Sequence, residues 1–199
     1  MIPKIIHQIW IGDRSKIPYK SIETWINAHP DWKHLLWDEE KIKDLNLINL
    51  DKYNYYYNLK KFHGSANIVR IEALYKFGGV YIDADSICNN AIDDLINRDF
   101  FAVYSPNMPN RVGNAFIGST PNNEILKKYI ERIKIITKLN PPWDTVGGTC
   151  FKQVLEEMNM MSVVLPSYFF YTSDKHGTPI DILGKNYASH FWGSTNKSY

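Results

Sequence analysis

Two carboxylates, Asp83 and Asp85, stand one residue apart, directly after an apolar run that opens with Gly78 and Gly79. Side chains alternate between the two faces of a β-strand, so a strand through this segment predicts that both carboxylates point the same way. Two oxygen ligands that converge at a strand end suit a hard divalent cation with open positions for phosphate oxygens. The chemistry that this pair predicts is the binding of a nucleotide diphosphate.

A predicted helix over residues 66–76, with Ser65 as its N-cap and Gly78 just past its end, precedes the carboxylates. Asn67 and Arg70 are three residues apart, so they share one helical face, which can look toward the carboxylates. An arginine there can donate a fork of hydrogen bonds to phosphate or sugar hydroxyls. An Arg70 that only pairs with one of the aspartates explains the spacing equally well.

Trp10 and His190 lie near the two ends of the chain. Trp10 falls near the end of a predicted first strand. Because nucleotides bind beyond the carboxyl ends of strands in open α/β sheets, the Trp10 ring could stack on a base. A tryptophan in the core is the alternative. His190 could give a nitrogen ligand to a cation shared with Asp85, a mixed set that suits Mn²⁺ better than Ca²⁺. A packed or surface histidine is the alternative there.

Strands and helices alternate along the chain, which predicts an α/β fold with a mostly parallel central sheet flanked by helices, mixed at one edge. At 199 residues the sequence predicts one domain, residues 1–199, with a substantial core. The predicted strands cover residues 4–12, 32–37, 80–83, 100–104, 115–117 and 163–165.

Charged residues make up 22% of the chain and the net charge is +2, which argues against a nucleic-acid-binding protein. The N-terminus lacks the layout of a signal peptide, and no apolar run approaches the length of a membrane span. We therefore expect a cytoplasmic protein without a transmembrane segment. A predicted helix over 120–138 carries four basic residues, Lys127, Lys128, Arg132 and Lys134. They allow peripheral contact with an anionic, lipid-linked acceptor, although a solvated helix face explains them as well.

Four segments, residues 2–12, 65–70, 78–85 and 190–194, together resemble the sugar transferases with a D-x-D motif. That family includes yeast-type initiating α-mannosyltransferases and bacterial capsular polysaccharide transferases, and more distantly the clostridial glucosylating toxins. The four segments occur in the order found in the family and extend over nearly the whole chain, which makes the resemblance more specific than any single motif.

The resemblance implies a GT-A fold, a nucleotide-sugar donor, a Mn²⁺ or Mg²⁺ ion, a glycan or lipid-linked acceptor, and retention of anomeric configuration. Polysaccharide biosynthesis is the corresponding process. Carried over by position, the donor-binding residues are Trp10, Asn67, Arg70, Tyr81, Asp83 and Ser194, the metal ligands are Asp83, Asp85 and His190, and the catalytic residues are Asp83, Asp85 and Arg70.

The chain departs from the family at two positions. Asn67 stands where the family usually has an aspartate that holds donor-sugar hydroxyls, which leaves open whether the donor is a UDP-sugar or GDP-mannose and whether activity is full. Thr195 follows Ser194 where the family often has tryptophan, so a looser closing segment is expected. Asn114, with the preceding loop over residues 105–113, is the predicted acceptor side.

No pair of carboxylates with separate nucleophile and acid roles is visible, so a glycosidase-type double displacement is not supported. A front-face reaction, in which the leaving phosphate helps to deprotonate the acceptor, fits a retaining enzyme without a protein nucleophile.

Three alternatives remain. A catalytically weak or inactive nucleotide-sugar-binding protein would also fit Asn67. A haloacid-dehalogenase-type phosphatase would carry its D-x-D in the first strand, whereas here it lies mid-chain and Ser86 follows. A sugar-binding module would usually be all-β.

Overall fold

The computed structural model describes residues 1–108, 111–139 and 141–193. Within these ranges, eight strands form two sheets, a central sheet in the order β2-β1-β3-β6-β5-β7 and a small sheet made of the other two strands. The strands are β1 (Ile5–Ile9), β2 (Lys33–Trp37), β3 (Gly79–Ile82), β4 (Ser86–Cys88), β5 (Phe100–Tyr104), β6 (Val112–Ser119), β7 (Val164–Leu165) and β8 (Ala188–His190).

Three of the five pairings in the central sheet are parallel: β1 with β2, β1 with β3, and β5 with β7. The prediction of an α/β fold with a mostly parallel central sheet is confirmed. The antiparallel strand, β6, lies inside the sheet rather than at one edge, because it pairs with both β3 and β5. Its link to β5 is short, and a short link joins antiparallel neighbours more easily than parallel ones.

Helices cover both faces of the central sheet. One apolar cluster joins the sheet to the third, fourth, fifth and seventh helices, and a second cluster on the opposite face includes Trp25 of the first helix. Within the described residues, no helix has both the length and the apolar character needed to span a bilayer. The helices are α1 (Tyr19–Ala28), α2 (Glu39–Lys43), α3 (Leu50–Asn58), α4 (Phe62–Phe77), α5 (Glu124–Ile135), α6 (Pro142–Thr145) and α7 (Gly148–Glu157).

The predicted N-cap of the helix before the carboxylates is wrong. Helix α4 begins at Phe62, so Ser65 lies inside its first turn, where its hydroxyl donates to the carbonyl of Tyr53 at 3.0 Å. Serine also bonds readily to nearby backbone groups away from a cap, which is why the residue type alone misplaced the start. Gly78 ends the helix as predicted, with its N–H donating to the carbonyl of Leu74.

Gly78 and Gly79 turn the chain from α4 directly into β3. Both residues have positive φ, 63° and 102°, a region that other residues rarely adopt. A Cβ atom on Gly79 would lie 2.6 Å from the carbonyl oxygen of Ile5 in the neighbouring strand. The close approach of β1 and β3 therefore requires glycine at this position.

His7, on β1, is a fully buried polar side chain with two partners. Its Nε2 lies 2.8 Å from the carbonyl oxygen of Gly78, and its Nδ1 accepts a hydrogen bond from Trp37 Nε1 at 3.0 Å. Since a carbonyl only accepts, Nε2 carries the proton and the ring is neutral. Burial lowers the pKa of His7 to about 4. A second proton, on Nδ1, would point at the Trp37 N–H and remove the hydrogen bond that Nδ1 accepts.

We predict that His7 makes the fold less stable in mild acid. Because its folded pKa of about 4 lies below its ordinary value of 6.5, only the unfolded chain binds this proton between those pH values. Stability is therefore lost as the pH falls from 6.5 toward 4, with His7 accounting for about 2 kcal/mol between pH 7 and pH 5. Urea unfolding at the two pH values should show a smaller difference for His7→Gln than for the native chain.

The matched comparison is His34→Gln. Burial also lowers the pKa of His34 to about 4, so His34→Gln should reduce the pH dependence by a similar amount and the double variant should reduce it further. An unchanged pH dependence in His7→Gln would contradict the assignment.

Candidate active site

Asp83 and Asp85 lie at the carboxyl end of the parallel pair β1 and β3, but not on a strand. Strand β3 ends at Ile82, and the two aspartates belong to the turn that leads into β4. The predicted strand alternation is therefore the wrong reason for their convergence. The turn is closed by Ser86, whose N–H and hydroxyl both donate to the carbonyl of Asp83, at 3.2 and 2.7 Å.

His190 joins the two aspartates because β4 pairs with β8. In this antiparallel pair Ser86 lies opposite His190, which places the imidazole beside the preceding turn. Oxygens of Asp83 and Asp85 and a ring nitrogen of His190 all lie within 4.8 Å of one another. Among the described residues this is the group of three that could hold a metal ion. It contains the three predicted ligands.

The donor set fits a divalent metal ion. Nε2 of His190 lies 3.2 Å from Asp83 Oδ2 and 3.1 Å from Asp85 Oδ1, yet it lacks hydrogen-bond geometry to either oxygen. Ligands at right angles, each about 2.1 Å from a common ion, are separated by about 3 Å. Two carboxylates and an imidazole suit Mn²⁺, and a mainly oxygen set also admits Mg²⁺.

Aromatic rings fix the orientation of His190. Phe170, Tyr171 and Trp192 lie around the imidazole, with centroid distances of 5.7, 5.6 and 4.8 Å. The Tyr171 ring also stacks on Trp192. Sequence reasoning missed Tyr171, since it lies in an aromatic stretch, residues 168–171, that carries no pattern of a binding site.

The segment after β8 wraps around Asp85. The N–H of Gly193 donates to Asp85 Oδ2 at 2.7 Å, and the N–H of Phe191 donates to its carbonyl oxygen at 3.2 Å. Trp192, between them, has a φ of 56°, in the left-handed region. Backbone donors carry no sequence signal, so these contacts could not be predicted. Ser194, a predicted donor-binding residue, and Thr195 lie outside the described residues.

Arg70 reaches the aspartates from α4, as its helical face predicted. Its guanidinium lies 3.3 Å from Asp83 Oδ1, packs 4.3 Å from the centroid of the Tyr81 ring, and donates to the main-chain carbonyl of Asn114. The Tyr81 hydroxyl donates to the same Asp83 oxygen at 2.6 Å. The ion pair between Arg70 and Asp83 is therefore present, and a role for Arg70 in donor binding stays a prediction.

The site holds mutually stabilising charges. Burial alone would raise the pKa of the Asp83 carboxyl, but Arg70, His190 and Tyr81 outweigh it and hold that pKa well below its usual value. Burial alone would lower the pKa of His190, but the carboxylates of Asp85 and Asp83 raise it to about 9. Since a metal-bound imidazole is neutral, a metal ion and this proton compete for Nε2.

Trp10 lies beside the turn, at the carboxyl end of β1. It is 9% exposed and packs in a small cluster with Ile17, Ile22 and Ala84, the residue between the two aspartates. Its Nε1 donates to the carbonyl of Asp13 at 2.9 Å. The position is the one predicted, and base stacking stays a prediction.

Asn67 and Asn114 meet next to Arg70. The amide nitrogen of Asn114 donates to Asn67 Oδ1 at 3.4 Å, while Asn114 Oδ1 is buried without a hydrogen-bond partner among the described residues. Asn114 lies on β6, and the N–H of Asp83 donates to the carbonyl of the next residue, Ala115. The predicted acceptor residue thus lies at the site, and its role stays a prediction.

The sequence of residues 18–102 matches a family described as the glycosyltransferase sugar-binding region containing the DXD motif. Inositol phosphoceramide mannosyltransferase 3 of Schizosaccharomyces pombe is 31% identical over 66% of this chain and 37% of that protein. Mannosyl phosphorylinositol ceramide synthase SUR1 of Saccharomyces cerevisiae is 30% identical over 96% of this chain and 48% of that protein. The chain spans half or less of the length of these two relatives.

Solved glycosyltransferase structures share the fold. The PaToxG glycosyltransferase is 20% identical, with a TM-score of 0.65 over 79% of this chain and 69% of that chain. The ligand-free glycosyltransferase domain of the YGT toxin is 12% identical, with a TM-score of 0.57 over 87% of this chain and 84% of that chain. The fold is therefore GT-A-like, and the chain belongs to the family described as the glycosyltransferase sugar-binding region containing the DXD motif, with sequence similarity to the yeast mannosyltransferases.

Proposed function

We propose that this protein is a metal-dependent, retaining hexosyltransferase that uses a nucleotide-diphosphate sugar, either a UDP-sugar or GDP-mannose, and a glycan or lipid-linked hydroxyl acceptor. The observation that carries the proposal is the convergence of Asp83, Asp85 and His190, with Arg70 beside them, at the carboxyl end of two parallel strands. Nucleotide ligands bind at such edges in open α/β sheets.

The three converging side chains would act on the leaving group. Asp83, Asp85 and His190 would hold Mn²⁺ or Mg²⁺, whose charge stabilises the departing diphosphate. Arg70 is held by Asp83 and by the carbonyl of Asn114. Its guanidinium would add a second positive charge beside the same phosphate. Trp10 would lie against the base.

Retention is supported by the contacts of the two carboxylates. Asp83 is engaged by Arg70, Tyr81 and His190, and Asp85 by His190 and the N–H of Gly193. Neither is placed as a nucleophile with an acid partner of the glycosidase kind. A front-face reaction, in which the leaving phosphate takes the acceptor proton, therefore suits this site.

The names of two relatives support a proposal for the acceptor class. One is named an inositol phosphoceramide mannosyltransferase and the other a mannosyl phosphorylinositol ceramide synthase. We therefore propose an acceptor in which a hydroxylated ring carries a phosphate ester, with GDP-mannose as the first donor to test.

We expect nucleotide binding to depend on both metal and Asp85. Calorimetric titration of GDP and UDP with Mn²⁺ should give clear binding that EDTA abolishes. In Asp85→Asn, transfer activity should fall at least about a hundredfold, because a ligand of the charge-stabilising ion is lost. Asp181→Asn, at an exposed aspartate, is the matched control and should behave like the native chain. Equal nucleotide affinity with and without metal would refute the proposed site.

We expect product configuration to match that of the donor. The anomeric proton and carbon couplings of the first product formed from an α-linked donor should be those of an α-glycoside in NMR spectra. A β-glycoside would show inversion, and the front-face reaction would then be wrong.

Asn67 should set the donor preference. A carboxylate forms stronger hydrogen bonds to sugar hydroxyls than an amide does, so Asn67→Asp should change the ratio of kcat/KM between UDP-glucose and GDP-mannose by about tenfold. Asn67→Ala is the control, since it removes the contact for every donor and should leave the ratio near its native value. An unchanged ratio in Asn67→Asp would place Asn67 outside the sugar subsite.

A further inference from the structure

A polar cleft of about 410 Å³ lies between the β5–β6 loop and the segment that follows Tyr171. Arg111, Lys175 and His176 line it, together with Asp174. We propose that this cleft binds the phosphate group of the acceptor, as an anion site separate from the donor diphosphate site. The inference rests on the proposed transfer to a hydroxyl acceptor.

The guanidinium of Arg111 packs on an aromatic ring. Its Cζ lies over the ring of Trp143, 4.0 Å from the centroid, and Trp143 is itself 47% exposed. Its hydrogen bond within the described chain goes to the sulfur of Met108 at 3.7 Å, a weak acceptor. A guanidinium has five N–H donors, so donors remain for two parallel bonds to an oxyanion.

Among the described residues that line the cleft, the one carboxylate accepts hydrogen bonds that hold its own loop. Asp174 Oδ1 accepts from the N–H groups of His176 and Thr178 at 2.8 and 2.9 Å, and Oδ2 accepts from Asn107 Nδ2 at 2.9 Å. Within the described ranges, no carboxylate lies within ion-pair distance of Arg111 or Lys175. The cleft thus has a net positive charge that an anion would balance.

The cleft adjoins the candidate active site on its acceptor side. Arg111 immediately precedes β6 and lies three residues before Asn114, a separation of roughly 10 Å along an extended chain. On the other wall, Trp192 Nε1 donates to the carbonyl of Ser173, the residue before Asp174. A hydroxylated ring that carries a phosphate ester is of a size to reach from Asn114 to this cleft.

The basic face of α5 is a weaker candidate for the same anion. Lys127 pairs with Glu124 at 3.5 Å, and Arg132 pairs with Glu157 at 2.7 Å, so part of the charge there is already balanced. This face provides the matched control, because two of its lysines can be neutralised without touching the cleft.

The experiment compares Arg111→Gln/Lys175→Gln with Lys127→Gln/Lys128→Gln. Each protein is tested for mannosyl transfer from GDP-mannose to myo-inositol, to myo-inositol 1-phosphate and to phosphatidylinositol in neutral vesicles, and for GDP-mannose hydrolysis. The cleft variant should raise the KM for both phosphorylated acceptors roughly ten- to a hundredfold and leave hydrolysis and transfer to myo-inositol unchanged. If the KM rises only for phosphatidylinositol in vesicles, the cleft binds a lipid headgroup. If the KM rises for myo-inositol 1-phosphate as well, the cleft binds the phosphate ester itself.

Binding of myo-inositol 1-phosphate, followed by NMR titration, separates this inference from the proposed function. If no donor is cleaved but the native chain binds the phosphate and the cleft variant does not, the proposed function fails and the cleft assignment stands. If the cleft variant binds and uses phosphorylated acceptors like the native chain, or loses transfer to phosphorylated and neutral acceptors equally, the inference is overturned. A selective defect in the α5 variant would likewise overturn it.

Discussion

The antiparallel contact between β4 and β8 is the feature on which the candidate site depends. Each strand has three residues, and a two-stranded sheet of that size has little stability alone. Trp25 of α1 supports it by donating from Nε1 to the carbonyl of Ser86 at 3.0 Å. Asn89 adds a bond to the Asn186 side chain at the far end. The geometry of the candidate metal-ligand group is thereby coupled to a helix and a loop that contain none of its three residues.

The second constraint is electrostatic. At neutral pH, Asp83 and Asp85 are balanced by Arg70 and by a protonated His190, whose pKa is raised to about 9. Buried charges are tolerated when they are paired, and this group is paired within itself. The proposed cation and diphosphate would add charges that largely offset each other. The pairing within the group therefore makes it stable without a ligand and compatible with the proposed one.

Much of the fold followed from the sequence, because helix and strand periods alternate and glycines mark the turn between α4 and β3. The common face of Asn67 and Arg70 and the proximity of Trp10 to the aspartates also followed from spacing and strand direction. The contacts that could not be predicted are long-range or use the backbone. Examples are the N–H of Gly193 on Asp85 and the ring of Tyr171 against His190.

Arg70 bonds to the main-chain carbonyl of Asn114 rather than to its side chain. Every residue at position 114 supplies that carbonyl, so the side chain there can be exchanged while the arginine keeps its anchor. A substitution at position 114 therefore leaves this anchor of the charged centre in place. The same property makes this position a sound first choice for a saturation library that tests the proposed acceptor role.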